Sequence, residues 1–487
     1  MMRSMYSGVS GLKTHQTRMD VIGNNIANVN TEAFKASSVK FNEIMYQTTA
    51  GASGGDAASG IGGVNAKQIG LGVTTGSTKI NITGAGAAQT TGDPFDLRLT
   101  DSQTTNFFIV SDGQNNFFTR AGSFYVDGNG FLCMSSTGYT VQGWQTTKNA
   151  DTGAVSILKD TVSPLQVMAP DNQSSAPEAT EAGYASGILD KNDTNVTDKD
   201  KGYTMNLSIY DDLGYSYTAK FTLKATDGEG VYSIALTDIQ DSNGETIKND
   251  TGAVIDQAAL DTYFKPQYIV FDGANGTMVG MTDASGTDAA AIRAGGPGAR
   301  TTVEGQPADS RIKTIQMDLK QYKNAAGGNN FKAIDIDFST VRNSNNGGVS
   351  TLAMKNGTTD GNKTGKKLGA LTGITIDQSG QVYGAYNNGN TVLLGQIPVA
   401  QFANASGLEK VGDNCYTTTL NSGEFDGIGV AISADGSKMT SGQIEMSNVD
   451  LSEQFTDMIV TQRGFQANSR VITTSDTLLE ELINLKR

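Results

Sequence analysis

The chain has 487 residues, of which 18% are charged, and a formal net charge of −14. An acidic chain of this kind is a poor candidate for binding nucleic acid or an anionic membrane, because both attract basic surfaces. Its 59 glycines against 8 prolines predict many turns. The length predicts about two to four domains rather than a single core.

The first residues show no cleaved secretory signal, and no window approaches the about 18 consecutive apolar residues of a membrane span. We therefore expect no membrane insertion, and either a cytoplasmic protein or export without a cleaved signal. The two cysteines, Cys133 and Cys415, are too few for a disulfide framework.

The first predicted element is a helix over residues 3–28. Its apolar residues recur three, four or seven positions apart, which places them on one face of a helix. Asparagine side chains compete for backbone hydrogen bonds and predict an end near Asn28, followed by a short second turn from Thr31. The apolar face comprises Met5, Val9, Leu12, Met19 and Ile26.

Strand patterns fill most of the middle of the chain. Residues 50–65 are small and Gly-rich and predict a flexible connector. A first β block runs from residue 69 to 167, with a hairpin signal in DGNG at 127–130. Residues 168–200 and 345–367 are polar and read as joints around a central β region. A third β block, 374–402, is similar to the first in texture.

The last predicted element is a helix that follows Ser447 and is apolar on two opposite faces. Such a helix has two surfaces to cover, one against its own chain and one against a neighbouring copy. A long helix buried inside one globule is the alternative. The first face comprises Leu451, Phe455, Met458, Phe465, Ile472, Leu479 and Ile483, and the second includes Val460, Val471 and Leu478.

These elements predict an α+β multidomain fold in which the terminal α-helices pair as an antiparallel coiled-coil-like layer and two or more β-rich domains are nested between them. The predicted division is residues 1–66 plus 447–487 for the helical layer, 67–167 plus 368–446 for a middle β-rich domain, and 168–367 for an outer variable region. A helix pair of this kind is thin, so we expect loose termini in the monomer and ordered termini in an assembly.

Residues for catalysis or metal binding are scarce. The single histidine, His15, lies on the first helix without a nucleophile beside it, and Cys/His clusters for zinc are absent from the sequence. Acidic stretches near Asp198 and Asp241 miss the spacing of calcium loops. Among the 50 acidic residues nothing singles out a catalytic carboxylate pair. We therefore predict no enzyme, no cofactor and no metal.

Several stretches resemble the flagellar rod and hook family, in the same order along the chain. They are NNIANVNTEAFK (24–35), QIGLGV (68–73), the run from PFDLRL to YTVQGW (94–144), LLGQIPVAQFAN (393–404) and the last helix from SNVDL (447–487). The matched motif after the first helix comprises Asn25, Ile26, Ala27, Asn28, Asn30, Thr31 and Phe34. The large central insertion is similar to hook members of the family rather than to rod members.

The resemblance implies a helical homo-polymer that forms a curved tube, a universal joint passing torque from rod to filament. It implies paired terminal helices inside, contacts with rod and hook-filament junction proteins, the hook cap and the export apparatus, and an extracellular location reached by type III export. The apolar residues of both terminal helices would then form the subunit interface.

Two departures from the family pattern stand out. Ala33 occupies a position where the family usually has glycine, so we expect a helical start from Thr31 rather than a left-handed residue at 33. Some members cross-link subunits through a cysteine and a lysine, whereas free buried thiols are the expectation for Cys133 and Cys415. A distal rod protein of the same family, or a secreted β-rich adhesin or enzyme, is the alternative function.

Overall fold

The computed structural model describes residues 2–55, 60, 62–148, 155–198, 200–249, 252–282, 313–322 and 329–485. Strands predominate among these residues, and the two long helices lie at the ends of the chain. The chain divides into two compact units. Unit 1 comprises residues 1–172, 373–385 and 391–487, and unit 2 comprises residues 173–372 and 386–390. The three-domain division proposed from the sequence stays a prediction.

The long helices agree with the periodicity of the sequence. The first begins and ends within one residue of the predicted 3–28. The last begins after Asp450, whose carboxylate accepts hydrogen bonds from the backbone N–H groups of Ser452 at 2.8 Å and Glu453 at 3.2 Å, the geometry of an N-cap. The α-helices in the described residues are α1 Met2–Ala27, α2 Thr194–Thr197, α3 Gln257–Tyr263 and α4 Leu451–Asn484. Short 3-10 helices occur at Pro170–Asn172, Leu319–Gln321, Ala405–Gly407 and Ile432–Asp435.

The strands of the described residues follow in chain order. They are β1 Ser37–Glu43, β2 Tyr46–Ala50, β3 Lys67–Gly70, β4 Val73–Ile80, β5 Ala88–Thr90, β6 Leu97–Thr100, β7 Asn106–Ser111, β8 Asn116–Thr119, β9 Phe124–Val126, β10 Leu132–Met134, β11 Thr140–Lys148, β12 Val155–Ile157, β13 Ser163–Pro164, β14 Ser174–Ser175, β15 Ala182–Leu189, β16 Tyr203–Tyr210, β17 Ser216–Ala225, β18 Val231–Gln240, β19 Gln267–Phe271, β20 Met278–Thr282, β21 Thr314–Asp318, β22 Ala333–Asn343, β23 Ala353–Asn356, β24 Gly369–Ile376, β25 Gln381–Tyr386, β26 Thr391–Gln396, β27 Val399–Gln401, β28 Glu409–Gly412, β29 Cys415–Thr417, β30 Lys438–Ser441 and β31 Gln443–Glu445.

Unit 1 is built from both halves of the chain. Its central strand β7 is buried along its whole length and pairs antiparallel with β8, β11 and β27. From the C-terminal half, β29 pairs with β8, β30 with β6 and β31 with β5. Phe107, Ile109, Phe118 and Tyr416 form part of one core. The predicted pairing of the first and third β blocks is therefore confirmed.

The hairpin signal at 127–130 is also confirmed. It joins β9 to β10, which pair antiparallel. The carboxylate of Asp127 accepts hydrogen bonds from the backbone N–H groups of Asn129 at 3.0 Å and Phe131 at 2.7 Å. Gly130 has a φ of 85°, a left-handed conformation that glycine adopts without strain.

Two of the sheets in the described part of unit 2 share one large core. One has the strand order β21-β22-β15-β23, in which β15 and β22 run parallel. The other is an antiparallel five-stranded sheet, β16 to β20 in sequence order. Their buried side chains, such as Leu207, Phe221 and Phe338, belong to a single cluster.

Two of the predicted joints are wrong. Residues 168–200 contain β15, and residues 345–367 contain β23, and these two strands pair with each other in unit 2. Their composition is small and polar because the strands pack closely. Ala185 is fully buried, and a Cβ at Gly183 would lie 3.3 Å from Leu207.

The predicted connector at 50–65 is flanked by paired strands. β2 and β3 run antiparallel, and a further bridge joins Ser53 to Val64. Every residue of both strands is exposed. The described residues of this segment are thus paired at Ala50 and at the Ser53–Val64 bridge, and the flexibility of the connector stays a prediction.

The expectation at Ala33 is also wrong. Ala33 adopts a left-handed conformation with a φ of 52°, and no helix begins at Thr31. The Ala33 N–H donates a hydrogen bond of 2.8 Å to the Glu445 carbonyl, and the residue is only 1% exposed. This distant partner and the burial outweigh the roughly 1–2 kcal/mol that a Cβ costs in the left-handed region.

Candidate subunit interface

The two terminal helices lie side by side and run antiparallel. Near the start of α1 and the end of α4, the Ser4 and Ser475 hydroxyl oxygens are 3.4 Å apart. Near the other end of the pair, Arg18 forms an ion pair of 2.9 Å with Asp457. The predicted contact between the chain termini is therefore present within one chain.

Small and polar residues form the seam between these helices. A Cβ at Gly8 would lie 3.1 Å from the Ile472 Cγ1 atom, and a Cβ at Gly11 would lie 2.7 Å from the Asn468 side chain. The absence of side chains at these glycines thus sets how closely the backbones approach. The fully buried residues of α4 are Thr461 and Ser475, which belong to neither predicted apolar face.

None of the predicted interface residues is fully buried in the single chain, and one of them, Ile472, lies at the seam opposite Gly8. On α4, Phe455 is 48% exposed and Val460 57% exposed. The exposed members are Val9, Leu451, Phe455, Val460, Val471, Leu478 and Ile483, and the half-buried members are Met5, Leu12, Met19, Ile26, Met458, Phe465, Ile472 and Leu479.

Sequence reasoning missed some residues of this exposed surface. Met2, Tyr6, Ile459 and Leu482 are exposed apolar side chains of the same helices. Ile459 is adjacent to Val460, so a wider apolar face on α4 was visible in the periodicity. The seam between α1 and α4 was not visible in the periodicity, because a search for apolar repeats passes over glycine, threonine and serine.

The asparagine-rich motif joins α1 to both neighbouring elements. Asn25 is 1% exposed and its side-chain amide donates to the Ser37 carbonyl at 2.8 Å and to the Gln454 side chain at 3.0 Å. Its carbonyl oxygen accepts from the Ser37 N–H at 2.9 Å. One side chain thereby fixes the end of α1 to β1 and to α4.

The remaining motif residues have local roles or none that the contacts reveal. Asn28 accepts a hydrogen bond of 3.0 Å from the Thr31 hydroxyl, which closes the turn after α1. Phe34 is buried, and the Lys410 ammonium lies 4.5 Å from its ring centroid. Ile26 is half-buried, and Ala27 and Asn30 are exposed.

A buried ionic network lies where the chain leaves α1 and where it approaches α4. Lys35 Nζ is 2.7 Å from Glu445 Oε1, and Arg120 Nη2 is 2.8 Å from Glu445 Oε2. The three side chains are each 1% exposed. Arg120 Nη1 also bonds the Asp101 carboxylate at 2.8 Å. The network therefore links Lys35 to Glu445, which are 410 positions apart in the sequence.

The opposite charges in this network keep its buried side chains ionised. Burial alone would raise the pKa of Glu445, but Arg120 and Lys35 hold that pKa below the ordinary value of 4.5. Burial lowers the pKa of Lys35, and the Glu445 carboxylate opposes that effect. Glu445 also accepts a hydrogen bond of 2.8 Å from the Gly86 N–H. A buried carboxylate with two cations and a backbone donor is fully satisfied.

Residues of the C-terminal half hold the segment 32–36 from the other side. These contacts fix the path of the chain after α1 to unit 1. The hydrogen bonds are Asn414 Nδ2 to the Glu32 carbonyl at 2.8 Å, Lys410 Nζ to the Lys35 carbonyl at 3.0 Å, and the Ala36 N–H to Asn448 Oδ1 at 2.8 Å.

The histidine and cysteine side chains of the described residues lie in partly or fully buried surroundings. His15 is half-buried in the helix seam. Cys133 and Cys415 are both free and buried, and burial with the nearby Asp413 raises the pKa of Cys415 to about 11. Such a thiol is a weak nucleophile at neutral pH. The described residues contain no group of three or more potential metal ligands and no helix long and apolar enough to cross a membrane.

Three family models match parts of the chain. They are Flagella basal body rod protein over residues 5–35, Flagellar hook protein FlgE/F/G D1 domain over residues 103–174, and Flagellar basal body rod FlgEFG protein C-terminal over residues 440–485. The first and last cover most of α1 and α4, so the helix pair described above lies in matched sequence.

The whole chain is also similar to named relatives. Flagellar hook protein FlgE of Treponema pallidum is 34% identical, and the match covers 100% of both chains. Flagellar hook protein FlgE of Borreliella burgdorferi is also 34% identical over 100% of both. Flagellar basal-body rod protein FlgG of Bacillus subtilis is 27% identical, again over 100% of both.

Proposed function

Because the chain belongs to the flagellar hook protein family, we propose that it is the structural subunit of a bacterial flagellar hook and that many copies polymerise into a curved, flexible tube. The tube acts as a universal joint that passes torque from the rod to the filament. The chain's part in this is mechanical rather than catalytic.

The uncovered apolar surface of α4 supports polymerisation most directly. Leu451, Phe455, Val460, Val471 and Leu478 are 39–57% exposed along a helix about 50 Å long. Leu451 and Phe455 belong to the first apolar face of α4, and the other three residues belong to the opposite face. Burying apolar area yields roughly 25 cal/mol per Å², so these exposed faces favour association. Other copies present the same faces, and the two terminal helices then form the coiled-coil-like inner layer of the tube.

The composition of the α1–α4 seam supports ordering of the termini on assembly. Small and polar side chains occupy several positions of the seam, and the predicted interface residues of both helices are at most half-buried within one chain. Most helical stability in proteins comes from packing an apolar face, so this pair gains its stability from neighbouring copies. Contacts between copies through both helices are then permanent, while contacts between β domains slide as the tube rotates.

The ionic network around Glu445 supports a mechanical connection inside unit 1. It joins the segment after α1 and the strand before α4 to Arg120 at the end of β8. A force on the terminal helices therefore reaches the β structure through buried ion pairs and backbone hydrogen bonds. The helices and the β strands of unit 1 move together under load.

Membership of the hook family supports the partners and the location that we propose. The subunit leaves the cell through the flagellar type III export apparatus and is assembled outside the cell. It contacts rod proteins at one end, hook-filament junction proteins at the other, and the hook cap during growth.

Sedimentation of a charged variant tests the proposal. Phe455→Asp places a carboxylate on the exposed apolar face of α4, and it should prevent formation of sedimentable tubes at concentrations where the wild type forms them. Gln466→Asp adds the same charge at an exposed polar position of α4 and should still polymerise. Tubes of normal length from Phe455→Asp would contradict the proposal.

A distal rod protein is the second candidate, because the rod protein of Bacillus subtilis matches over the full length. The two functions differ in the shape of the polymer. Electron micrographs of purified tubes should show curved segments for a hook subunit, whereas straight segments would favour a rod subunit.

A further inference from the structure

The single histidine of the chain is enclosed by three elements. His15 lies on α1, and a Cβ at Gly464 of α4 would be 2.7 Å from its Cε1 and Nε2 atoms. Its ring meets that of Phe41 on β1 edge to face, with centroids 5.6 Å apart. The backbone of α4 thus lies directly against the imidazole, and the ring has little room to move while the helices are paired.

The hydrogen bonding of this ring suits its neutral form. The Nδ1 atom is buried and has no hydrogen-bond partner. A protonated imidazole carries an N–H on both nitrogens, so protonation would bury a donor without an acceptor and add a charge. The neutral ring tolerates this site better, because only an acceptor is left unpaired.

The charges on the surrounding elements do not compensate a positive ring. Arg18 lies about one turn along α1 and bears the same charge as a protonated His15. Asp457 of α4 is already paired with Arg18 at 2.9 Å. Arg463 of α4 and Lys40 of β1 are exposed cations. Protonation of His15 would therefore place a second positive charge beside Arg18.

We propose that His15 is a proton-sensitive element of the helix seam: the neutral ring allows α4 to pack against α1 at Gly464, and the protonated ring forces the two helices apart. The ring acts as a positioning group between the helices. The inference concerns pairing within one chain and does not depend on polymerisation.

The direction of the pH dependence follows from the surroundings. Burial, and then the charge of Arg18, lower the pKa of His15 below its ordinary value of 6.5. The paired helices thus bind fewer protons than the separated helices, and the contribution of the neutral ring to pairing is complete above pH 6.5. It weakens as the pH falls below that value. Glu445 titrates below 4.5 and acts in a separate pH range.

A cross-linked subunit allows the titration to be read without a polymer. The Ser4 and Ser475 oxygens are 3.4 Å apart, so a Ser4→Cys/Ser475→Cys chain should form a disulfide that holds the pair in dilute solution. With one histidine, the imidazole NMR signal needs no assignment. We expect its titration midpoint below 6.5. A midpoint at or above that value, or failure of the disulfide to form under oxidising conditions, would overturn the proposal.

His15→Gln separates the histidine from other acid effects, because glutamine does not titrate. In the cross-linked chain, amide exchange in α1, corrected for intrinsic rates, should rise between about pH 7.5 and about pH 5.5 with histidine and not with glutamine. The expected loss of pairing on full protonation is tenfold for each pH unit by which the measured midpoint lies below 6.5. Equal acid-induced exchange in both chains would overturn the role of His15. Polymerisation is read separately by sedimentation, so the two proposals fail independently.

Discussion

Glu445 is the residue on which the connection between the terminal helices and the β structure depends most. It is 1% exposed, accepts hydrogen bonds from Lys35 and Arg120, and also accepts one from the Gly86 N–H. Two buried cations would be left without a full partner if its charge were removed. Replacing one carboxylate oxygen of Glu445 by an amide nitrogen should therefore disturb the whole ionic network.

We expect Glu445→Gln to destabilise unit 1 by about 3–5 kcal/mol, because it removes one member of a buried ion pair and leaves the other charges in place. The measurement is urea unfolding followed by fluorescence of Trp144, the single tryptophan, which is buried in β11. Glu480→Gln, at an exposed position of α4, is the matched control and should leave the midpoint unchanged. An unchanged midpoint in Glu445→Gln would mean that the network contributes nothing to stability.

The same residue predicts a loss of stability in acid. The folded pKa of Glu445 lies below the ordinary 4.5, so near pH 4.5 the folded state binds fewer protons than the unfolded state. The contribution of Glu445 is complete above that pH and is lost as the pH falls through the folded pKa. Urea midpoints measured in steps from neutral pH into acid should fall more steeply for the wild type than for Glu445→Gln. Parallel curves would contradict this assignment.

A substitution at Ala33 should raise the free energy of unfolding, whereas Glu445→Gln lowers it. Glycine relieves the roughly 1–2 kcal/mol cost of the left-handed conformation, partly offset by about 0.4–1 kcal/mol of extra freedom in the unfolded chain. Ala33→Gly should therefore stabilise unit 1 by about 0.5 kcal/mol in the Trp144 unfolding assay. Ala27→Gly, at a helical position, should instead lose stability. A loss in both variants would show that Ala33 is not strained.

At the scale of elements, the seam and the outer faces of the helix pair differ in chemistry. Glycine, serine and asparagine line the contact between α1 and α4, whereas phenylalanine, valine and leucine face outward. The glycines of the seam allow the two helices to approach closely, because they have no side chain. Gly11 and Gly23 lie on the same helix but meet different surroundings, because nothing lies within 4 Å of a Cβ at Gly23.

Gly11→Ala should loosen the helix pair, since its Cβ would lie 2.7 Å from the Asn468 side chain and force it to move. Gly23→Ala should stabilise α1 by about 0.5–1 kcal/mol, because alanine is the better helix former and meets no neighbour. The measurement is amide exchange of α1 in the dilute Ser4→Cys/Ser475→Cys chain, where the disulfide holds the helix pair and no other copy covers Gly23. We expect faster exchange in Gly11→Ala and equal or slower exchange in Gly23→Ala. The same change of exchange rate in both variants would contradict a close contact between the helices at Gly11.

The elements also show what the sequence allows one to predict. Periodicity located α1 and α4, and turn chemistry located the hairpin at Asp127, because both signals are local. The strands β15 and β23 were missed, since their small residues resemble a linker until the packing partner Leu207 is known. The left-handed Ala33 and the Lys35–Glu445 pair depend on contacts across the whole chain, and no local pattern carries them.

For the whole molecule, the structure links the two ends of the chain before any copy is added. The strands of unit 1 come from both halves of the chain, so the ends of α1 and α4 that adjoin these strands are brought together by the β pairing. The outer faces of these helices are left for other copies. The proposed polymer subunit uses both properties: an independent β structure, and termini that neighbouring copies complete.

Hydrogen exchange of the terminal helices in the dilute subunit and in sedimented tubes tests this account most directly. We predict that amides of α1 and α4 exchange rapidly in the dilute subunit and become strongly protected in the tube, while amides of β7 are protected equally in both states. Rapid exchange in one state and protection in the other would show that neighbouring copies supply the missing cover. Strong and equal protection of both helices in a dilute, monomeric chain would contradict the account.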